Sequence, residues 1–180
     1  FGYHAARIQP DAGYEKTIPM EHPYMGAFKE YYSEFGGANL VLVALMQKEG
    51  EIYNERFLST LKQVTDEVFF LPNIDRPRVM SLFTPNVRFV EITEQGFEGG
   101  DVIPSDYAPS PQMFDIIKSN VSKAQIIGRL VSEDETGAMV VSELLEVDPQ
   151  TGKQVDYTHV ADLLETIRGR IESPTVWEYR

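Results

Sequence analysis

The sequence predicts an α+β fold in which helices lie on one face of a mixed sheet. Short apolar runs of β type alternate with segments whose apolar residues recur at helical spacing, in the order β, α, β, β, short α, β, β, α, β. Two strand–helix–strand units in this order flank a hairpin, as is typical of α+β domains. The chain has 180 residues, 42% of them hydrophobic, which suffices for one domain with its own core.

The N-terminal segments precede the first predicted strand. Residues 1–21 contain Pro and Gly without a sustained period and predict an extended lead-in. Residues 22–35 contain aromatic residues at helical spacing, with Pro23 in the first turn and glycines just after the end, and predict a helix. Leu40–Met46 is almost wholly apolar, as expected of a strand that is buried on both faces.

The central part is predicted to form one long helix and two short strands. The side chain of Asn54 can cap a helix over residues 55–70, whose apolar residues share one face. The runs 79–83 and 87–92 are rich in β-type residues and are separated by a turn sequence. Residues 94–109 are rich in Gly and Pro and therefore predict a loop.

The C-terminal part is predicted to contain two helices and a hairpin. Ser110 followed by proline indicates the start of a helix that runs to about Val121. Residues 126–132 and 138–147 are β-prone runs with a five-residue connection that ends in glycine, which predicts a hairpin. The remaining predicted elements are a turn at 148–152, a helix capped by Asp156 and a strand at 175–179.

Composition excludes several classes of function. The chain carries 16 Lys and Arg against 28 Asp and Glu, a formal net charge of -12, so nucleic acid is not an expected partner. It has no cysteine, which excludes disulfides, thiolate catalysis and Cys-ligated metals. Its longest apolar run, Leu40–Met46, is far shorter than the roughly 20 residues of a membrane-spanning helix.

No set of residues predicts a catalytic, metal or cofactor site. The histidines are His4, His22 and His159, and their spacing fits no zinc motif. No G-x-S-x-G sequence marks a nucleophile. Glu98 and Asp101 could imitate an acid–base pair, but the glycines between them favour a solvated loop, and such pairs need burial to separate their pKa values.

The aromatic residues are the more informative candidates. Most rings at helical spacing are expected to pack in the core. Rings within the Gly/Pro-rich loop have less structural reason to be there, and apolar clefts are often walled by loops. We therefore predict Phe97 and Tyr107 as residues along the path of an apolar substrate.

Several long phrases of the sequence resemble one known family. They resemble the first large extracytoplasmic loop of bacterial exporters of the RND superfamily, in the MMPL-like branch, and the likeness extends over residues of about 10–172. The matching phrases are "DAGYEKTIPMEHPY" at 11–24, "FGGAN" at 35–39, "TDEVFFLP" at 65–72, "SLFTPNVRFVE" at 81–91, "GFEGGDVIP" at 96–104, "IGRLVS" at 127–132 and "DPQTGKQVDY" at 148–157.

This resemblance implies a ferredoxin-like, porter-type module on the periplasmic side of the inner membrane. Residues 1–21 would follow a transmembrane helix, and residues 22–180 would form a single α+β periplasmic domain. The partners would be the transmembrane helices, a second periplasmic loop and an apolar or lipid-like substrate, in a full-length protein that is an oligomer. The proton-coupling residues of such exporters lie in membrane helices, so none is expected in this chain.

Two other functions remain open at this stage. One is a free-standing protein that binds a lipid or another small molecule. The other is a hydrolase on an α+β scaffold, which would require a buried contact between a nucleophile and a histidine.

Overall fold

The computed structural model describes residues 39–94 and 96–171. The predictions for 1–21, 22–35 and 175–179 lie outside these residues. No helix within the described part is both long and apolar enough to cross a bilayer. The helices and strands are β1 (Leu40–Met46), α1 (Glu55–Phe70), β2 (Arg88–Thr93), β3 (Gly96–Asp101), α2 (Pro111–Lys123), β4 (Gly137–Glu143) and α3 (Tyr157–Ile171).

The first sheet pairs two strands that are about ninety residues apart in the sequence. β1 pairs antiparallel with β4, from Leu40 opposite Glu143 to Met46 opposite Gly137. On the other side of β4, Met80 and Val141 exchange backbone hydrogen bonds of 2.7 and 2.9 Å. β4 therefore lies between β1 and the segment that contains Met80, and this position explains the burial of Val140 and Ser142.

Helix α1 forms with the predicted bounds because its start and its buried face are both specified locally. The Asn54 Oδ1 accepts a hydrogen bond of 2.9 Å from the Phe57 N–H, which satisfies one of the unpaired donors of the first turn. The helix ends before Pro72, which lacks a backbone N–H. Its buried face is formed by Phe57, Leu58, Leu61, Val64 and Val68, which belong to the main core.

The two later helices also begin at the predicted capping residues. The Ser110 Oγ accepts a hydrogen bond of 3.2 Å from the Met113 N–H, and α2 continues two residues beyond the predicted end. The Asp156 Oδ1 accepts hydrogen bonds from the first turn of α3. α3 packs against α1, and an ion pair between Arg170 and Glu67 spans the two helices.

The predicted strands at 79–83 and 126–132 do not form. Met80 makes only an isolated bridge, and the chain then turns tightly, with the Thr84 N–H bound to the Ser81 carbonyl. In the second segment the Ile126 carbonyl accepts hydrogen bonds from the Leu130 and Val131 N–H groups. Both segments are apolar enough for a strand, but local turns take up part of their backbone hydrogen bonds, and only single residues such as Met80 and Leu130 bond to β4.

The α+β class is confirmed, but the single mixed sheet is wrong. The described residues form two sheets of two strands, β1–β4 and β2–β3, and both are antiparallel. The helices do not lie on one face of a common sheet, because α1 packs against β4 whereas α2 packs against β2.

The loop predicted at 94–109 is also wrong in its first half. Residues 96–101 form β3, which pairs with β2 across a two-residue loop. The hairpin is a separate unit at one end of α2, and it contains the predicted site residue Phe97.

Candidate functional site

The β2–β3 hairpin exposes a cluster of large apolar side chains. Ile92 lies directly opposite Phe97, and Val90 lies opposite Gly99, so the three side chains share one face. Val90, Ile92 and Phe97 are 67%, 78% and 81% exposed, respectively. We call these three side chains the apolar face. Apolar side chains that are exposed together in this way mark interaction sites more often than isolated ones do.

The opposite face of the hairpin is held by α2, which explains why the apolar face points outward. The Lys123 ammonium lies 2.6 Å from the Glu91 carboxylate and 5.5 Å from the centroid of the Phe89 ring. Successive side chains of a strand alternate between faces. Anchoring Phe89 and Glu91 on α2 therefore directs Val90 and Ile92 away from the protein.

A side chain added at either of two glycines of β3 would meet Phe89 of the neighbouring strand. A Cβ atom at Gly99 would lie 2.8 Å from the Phe89 carbonyl oxygen, closer than real Cβ contacts. At Gly100 it would lie 3.3 Å from the Phe89 ring, which covers this residue from the neighbouring strand. The ring and the close backbone approach compensate for the low intrinsic strand preference of glycine.

Charged groups surround the apolar face. Arg88 and Asp101 form an ion pair of 3.5 Å at the base of the hairpin. Glu94 and Glu98 are exposed near the tip. Asp101 is thus paired with an arginine, and Glu98 is exposed. The two carboxylates do not form the buried pair that acid–base chemistry requires.

The structure does not bring the two predicted substrate-path residues together. Tyr107 packs edge-on against Phe83, with ring centroids 6.1 Å apart, and it adjoins the main core. Its hydroxyl is buried and has no hydrogen-bond partner among residues 39–94 and 96–171. Burial raises the pKa of Tyr107, and the nearby Glu55 carboxylate raises it further. Phe97, in contrast, is exposed on the hairpin.

A second cluster links three separate segments of the chain. The Tyr53 hydroxyl donates a hydrogen bond of 2.6 Å to the Glu135 carboxylate. Lys118 lies 2.6 Å from Glu51, 3.7 Å from Glu135 and over the Tyr53 ring. Burial and the contact with Glu135 raise the pKa of Tyr53. The phenol therefore stays neutral, so the cluster joins the 51–54 segment to α2 and to the turn before β4 rather than supplying a base.

An open cleft of about 490 Å³ lies between residues 71–77 and 145–150. Arg76 lines this cleft and its guanidinium lies 5.8 Å from the ring centroids of both Phe69 and Phe70. The cleft carboxylates already have partners, since Asp75 pairs with Arg78 and Asp148 accepts backbone hydrogen bonds within its own turn. This cleft could not be predicted from the sequence, because its two walls are far apart in the chain.

The described residues contain no cluster that could hold a metal ion. No group of three or more His, Asp and Glu side chains in 39–94 and 96–171 could hold a metal ion. His159 is the one histidine in those ranges; it is exposed, and no serine hydroxyl there hydrogen-bonds to it.

Comparison with known proteins identifies no relative of this chain. No family model, no curated protein and no solved structure matches this chain.

Proposed function

We propose that this chain is the periplasmic, porter-type domain of an RND-type exporter of the inner membrane. In this role it contributes to the recognition and passage of apolar or amphiphilic, lipid-like molecules during proton-driven export. It acts together with the transmembrane helices and a second periplasmic loop of the same transporter. The long sequence phrases that resemble the MMPL-like branch are the first support for this proposal.

The order of the elements supports a ferredoxin-like module. In that fold a β-α-β-β-α-β chain forms an antiparallel sheet in which the third strand lies between the first and the second. Here β4 lies between β1 and the Met80 segment, with antiparallel neighbours on both sides. The fourth strand of the module would occupy the other edge of β1, and the strand predicted at 175–179 follows α3 as this order requires. The β2–β3 hairpin and α2 are then an insertion between the second and third strands.

The apolar face is the surface that contacts the passenger in this proposal. Fully burying a Val, Ile or Phe side chain is worth about 1.5–3 kcal/mol, so an exposed group of three is a strong attraction for an apolar molecule. The apolar face lies on an inserted hairpin rather than on the sheet that makes the core. A site of this kind contacts a passenger without changing it chemically, as transport requires.

The surrounding charge restricts the class of passenger. Glu94 is exposed at the tip of the hairpin next to the apolar face, and the whole chain carries a net charge of -12. Anionic headgroups would be repelled from this surface. We therefore propose that the passenger is neutral or cationic at the end that meets the hairpin.

A binding titration tests the role of the apolar face. The 180-residue chain is titrated with Nile red, a neutral dye whose fluorescence rises in apolar surroundings. We expect Phe97→Ser to weaken dye binding by about tenfold, which corresponds to the loss of about 1.4 kcal/mol of apolar contact. The matched control is Phe70→Ser. Phe70 is a phenylalanine of similar exposure, 70%, at the C-terminal end of α1 and outside the apolar face.

Two results would contradict this assignment. Equal weakening by Phe97→Ser and Phe70→Ser would mean that the dye reports exposed rings in general. If Phe97→Ser does not weaken dye binding, the apolar face is not part of the passenger path. A free-standing lipid-binding protein would give the same titration as an exporter domain, and the cellular location of the chain distinguishes the two.

A further inference from the structure

We infer that the β2–β3 hairpin is a movable arm, which Lys123 holds against α2 in one of two positions. The base of the arm is fixed in the core, whereas its body is held by an exposed lysine. When the lysine contacts break, the arm pivots about its base and uncovers the Phe89 ring. The contacts of the hairpin support this movement by themselves; only its use in carrying a passenger rests on the proposed function.

The base of the hairpin is anchored in the main core. Val87 precedes β2 and Val102 follows β3; they are 5% and 0% exposed and belong to the core cluster. The Asn120 side chain on α2 donates a buried hydrogen bond of 3.2 Å to the Val102 carbonyl. Breaking this bond would leave polar groups without partners in the core, which is unfavourable. The base therefore stays in place while the rest of the hairpin moves.

The body of the hairpin is accessible to solvent along its whole length. No residue of β2 or β3 is buried, and each of them is exposed or half-buried. Helix α2 packs on β2, and no other helix or strand in 39–94 and 96–171 packs on the hairpin to a similar extent. Segments with few buried apolar contacts change conformation locally at a low cost in free energy. The hairpin body therefore depends on its contacts with α2.

Those contacts are made by Lys123, one turn after Asn120 on α2. The Lys123 ammonium lies 2.6 Å from the Glu91 carboxylate and 5.5 Å from the centroid of the Phe89 ring. We call these two contacts the latch. The Lys123 and Glu91 side chains are 36% and 41% exposed, so water and salt screen their attraction. The latch is therefore on the surface, in contrast to the buried contact at the base.

The strength of the latch suits a reversible contact. An exposed ion pair and an exposed cation–π contact each change an equilibrium constant by roughly two- to fivefold. Together they favour the docked position by about 4- to 25-fold, if the two contributions multiply. Contacts of this size bias the position of the arm without locking it.

Two glycines in β3 give the arm a place to bend. Gly99 and Gly100 lie between the anchored base and the exposed ring of Phe97. Glycine adopts a wider range of backbone angles than other residues, and hinges are often formed by small residues that absorb such changes. The part of β3 that carries Phe97 can therefore move relative to the base.

Opening the latch changes the surface that a passenger meets. Phe89 and Val90 are successive residues of a strand, so their side chains lie on opposite faces. A detached arm would expose the Phe89 ring in addition to the apolar face. A passenger that also contacts Phe89 would bind the detached arm more tightly and shift the balance towards it. The latch would then couple the binding of the passenger to the position of the arm.

The test measures the position of the arm with a pair of spin labels. The 180-residue chain has no cysteine, so Ser59→Cys on α1 and Ile92→Cys on β2 place two labels at exposed sites. Double electron–electron resonance then gives the distances between them, without any passenger. We expect two distances, and Lys123→Gln should raise the ratio of detached to docked arm by about 4- to 25-fold. Raising the salt from about 50 mM to about 500 mM should raise the same ratio in the chain that retains Lys123.

Two control variants show whether the effect belongs to the latch. Lys62→Gln breaks an ion pair of the same length, 2.6 Å, between Lys62 and Asp66 on α1, and it should leave the distances unchanged. Lys123→Arg keeps the positive charge and should keep the arm docked. A single distance that neither Lys123→Gln nor salt changes would overturn the inference, as would an equal effect of Lys62→Gln.

Amide hydrogen exchange distinguishes movement of the arm from its unfolding. The strands stay paired when the arm pivots, so the amides of Phe89 and Glu91 should keep their exchange rates in Lys123→Gln. Faster exchange at these amides would mean that the hairpin unfolds, and it would contradict the inference. A failed dye titration would leave the movement standing, and a rigid arm would leave the apolar face as the passenger site.

Discussion

Replacing Gly99 by alanine tests the structure of the hairpin, and the size of the effect can be worked out from two opposing terms. The added Cβ would lie 2.8 Å from the Phe89 carbonyl oxygen, so one strand must move. Overpacking of this kind costs about 1–3 kcal/mol. Alanine also reduces the freedom of the unfolded chain, which stabilises by about 0.4–1 kcal/mol. The overpacking term is the larger, and the central values of the two ranges leave a net cost of about 1.3 kcal/mol.

This cost should appear as local opening of the hairpin rather than as global unfolding. The β2–β3 pair is a sheet of its own, and local openings of such units are measured by amide hydrogen exchange. The N–H groups of Phe89 and Glu91 should exchange about 2- to 30-fold faster in Gly99→Ala. Amides in the core of α1 should keep their wild-type rates. Unchanged exchange in β2, or equally faster exchange in α1, would refute the described register.

Three further predictions concern stability. Asn54→Ala removes the acceptor for the Phe57 N–H and should lower the free energy of unfolding, measured by urea denaturation, by about 1 kcal/mol. Asn54→Asp keeps an acceptor oxygen and should retain most of the wild-type stability. An equal loss of stability in both variants would contradict the cap. Gly169→Ala should raise the free energy of unfolding by about 0.5–1 kcal/mol, because Gly169 is exposed within α3 and nothing lies within 4 Å of an added Cβ; a destabilised variant would contradict this. The pKa of Tyr53 is raised in the folded chain. In the unfolded chain the phenol loses its proton near the ordinary pKa of 10.0, while in the folded chain it keeps the proton. The free energy of unfolding should therefore fall as the pH rises above that value. Tyr53→Phe should show a shallower fall in a series of thermal melts, and an identical pH dependence would count against the Glu135 contact.

The elements with strong local signals were predictable from the sequence. β1 and α1 form with the predicted bounds, because an apolar run, a capping Asn54 and a following proline specify them within a few residues. The starts of α2 and α3 follow from Ser110 and Asp156 in the same way. In each case the stabilising contact lies within one turn of the residue that signals it.

β3 was not predictable, because its stabilising contacts are between strands. Glycine has a low strand preference, and the run of glycines therefore favours a loop. The Phe89 ring covers Gly100, and the Phe89 backbone approaches Gly99, only once the two strands are paired. The β-prone runs at 79–83 and 126–132 do not form strands for the opposite reason, since local turns interrupt them and leave only isolated bonds to β4.

The candidate site was predictable only in part. Phe97 is exposed on the hairpin, as expected of a ring without a role in the core. Tyr107 packs on Phe83, a contact that spacing in the sequence does not show. Val90 and Ile92 were predicted as ordinary strand residues, because β2 has apolar side chains on both faces. Only the contacts of Lys123 with Phe89 and Glu91 determine which face is exposed.

The location of the natural protein tests the central claim most directly. Cells that produce it are converted to spheroplasts, treated with protease from outside, and then fractionated with a carbonate wash. An antibody against residues of α1 and α3 follows the chain. We expect the polypeptide that carries this chain to remain in the washed inner membranes and to be cleaved by the external protease. Recovery of the intact chain in the soluble fraction would contradict the exporter-domain account.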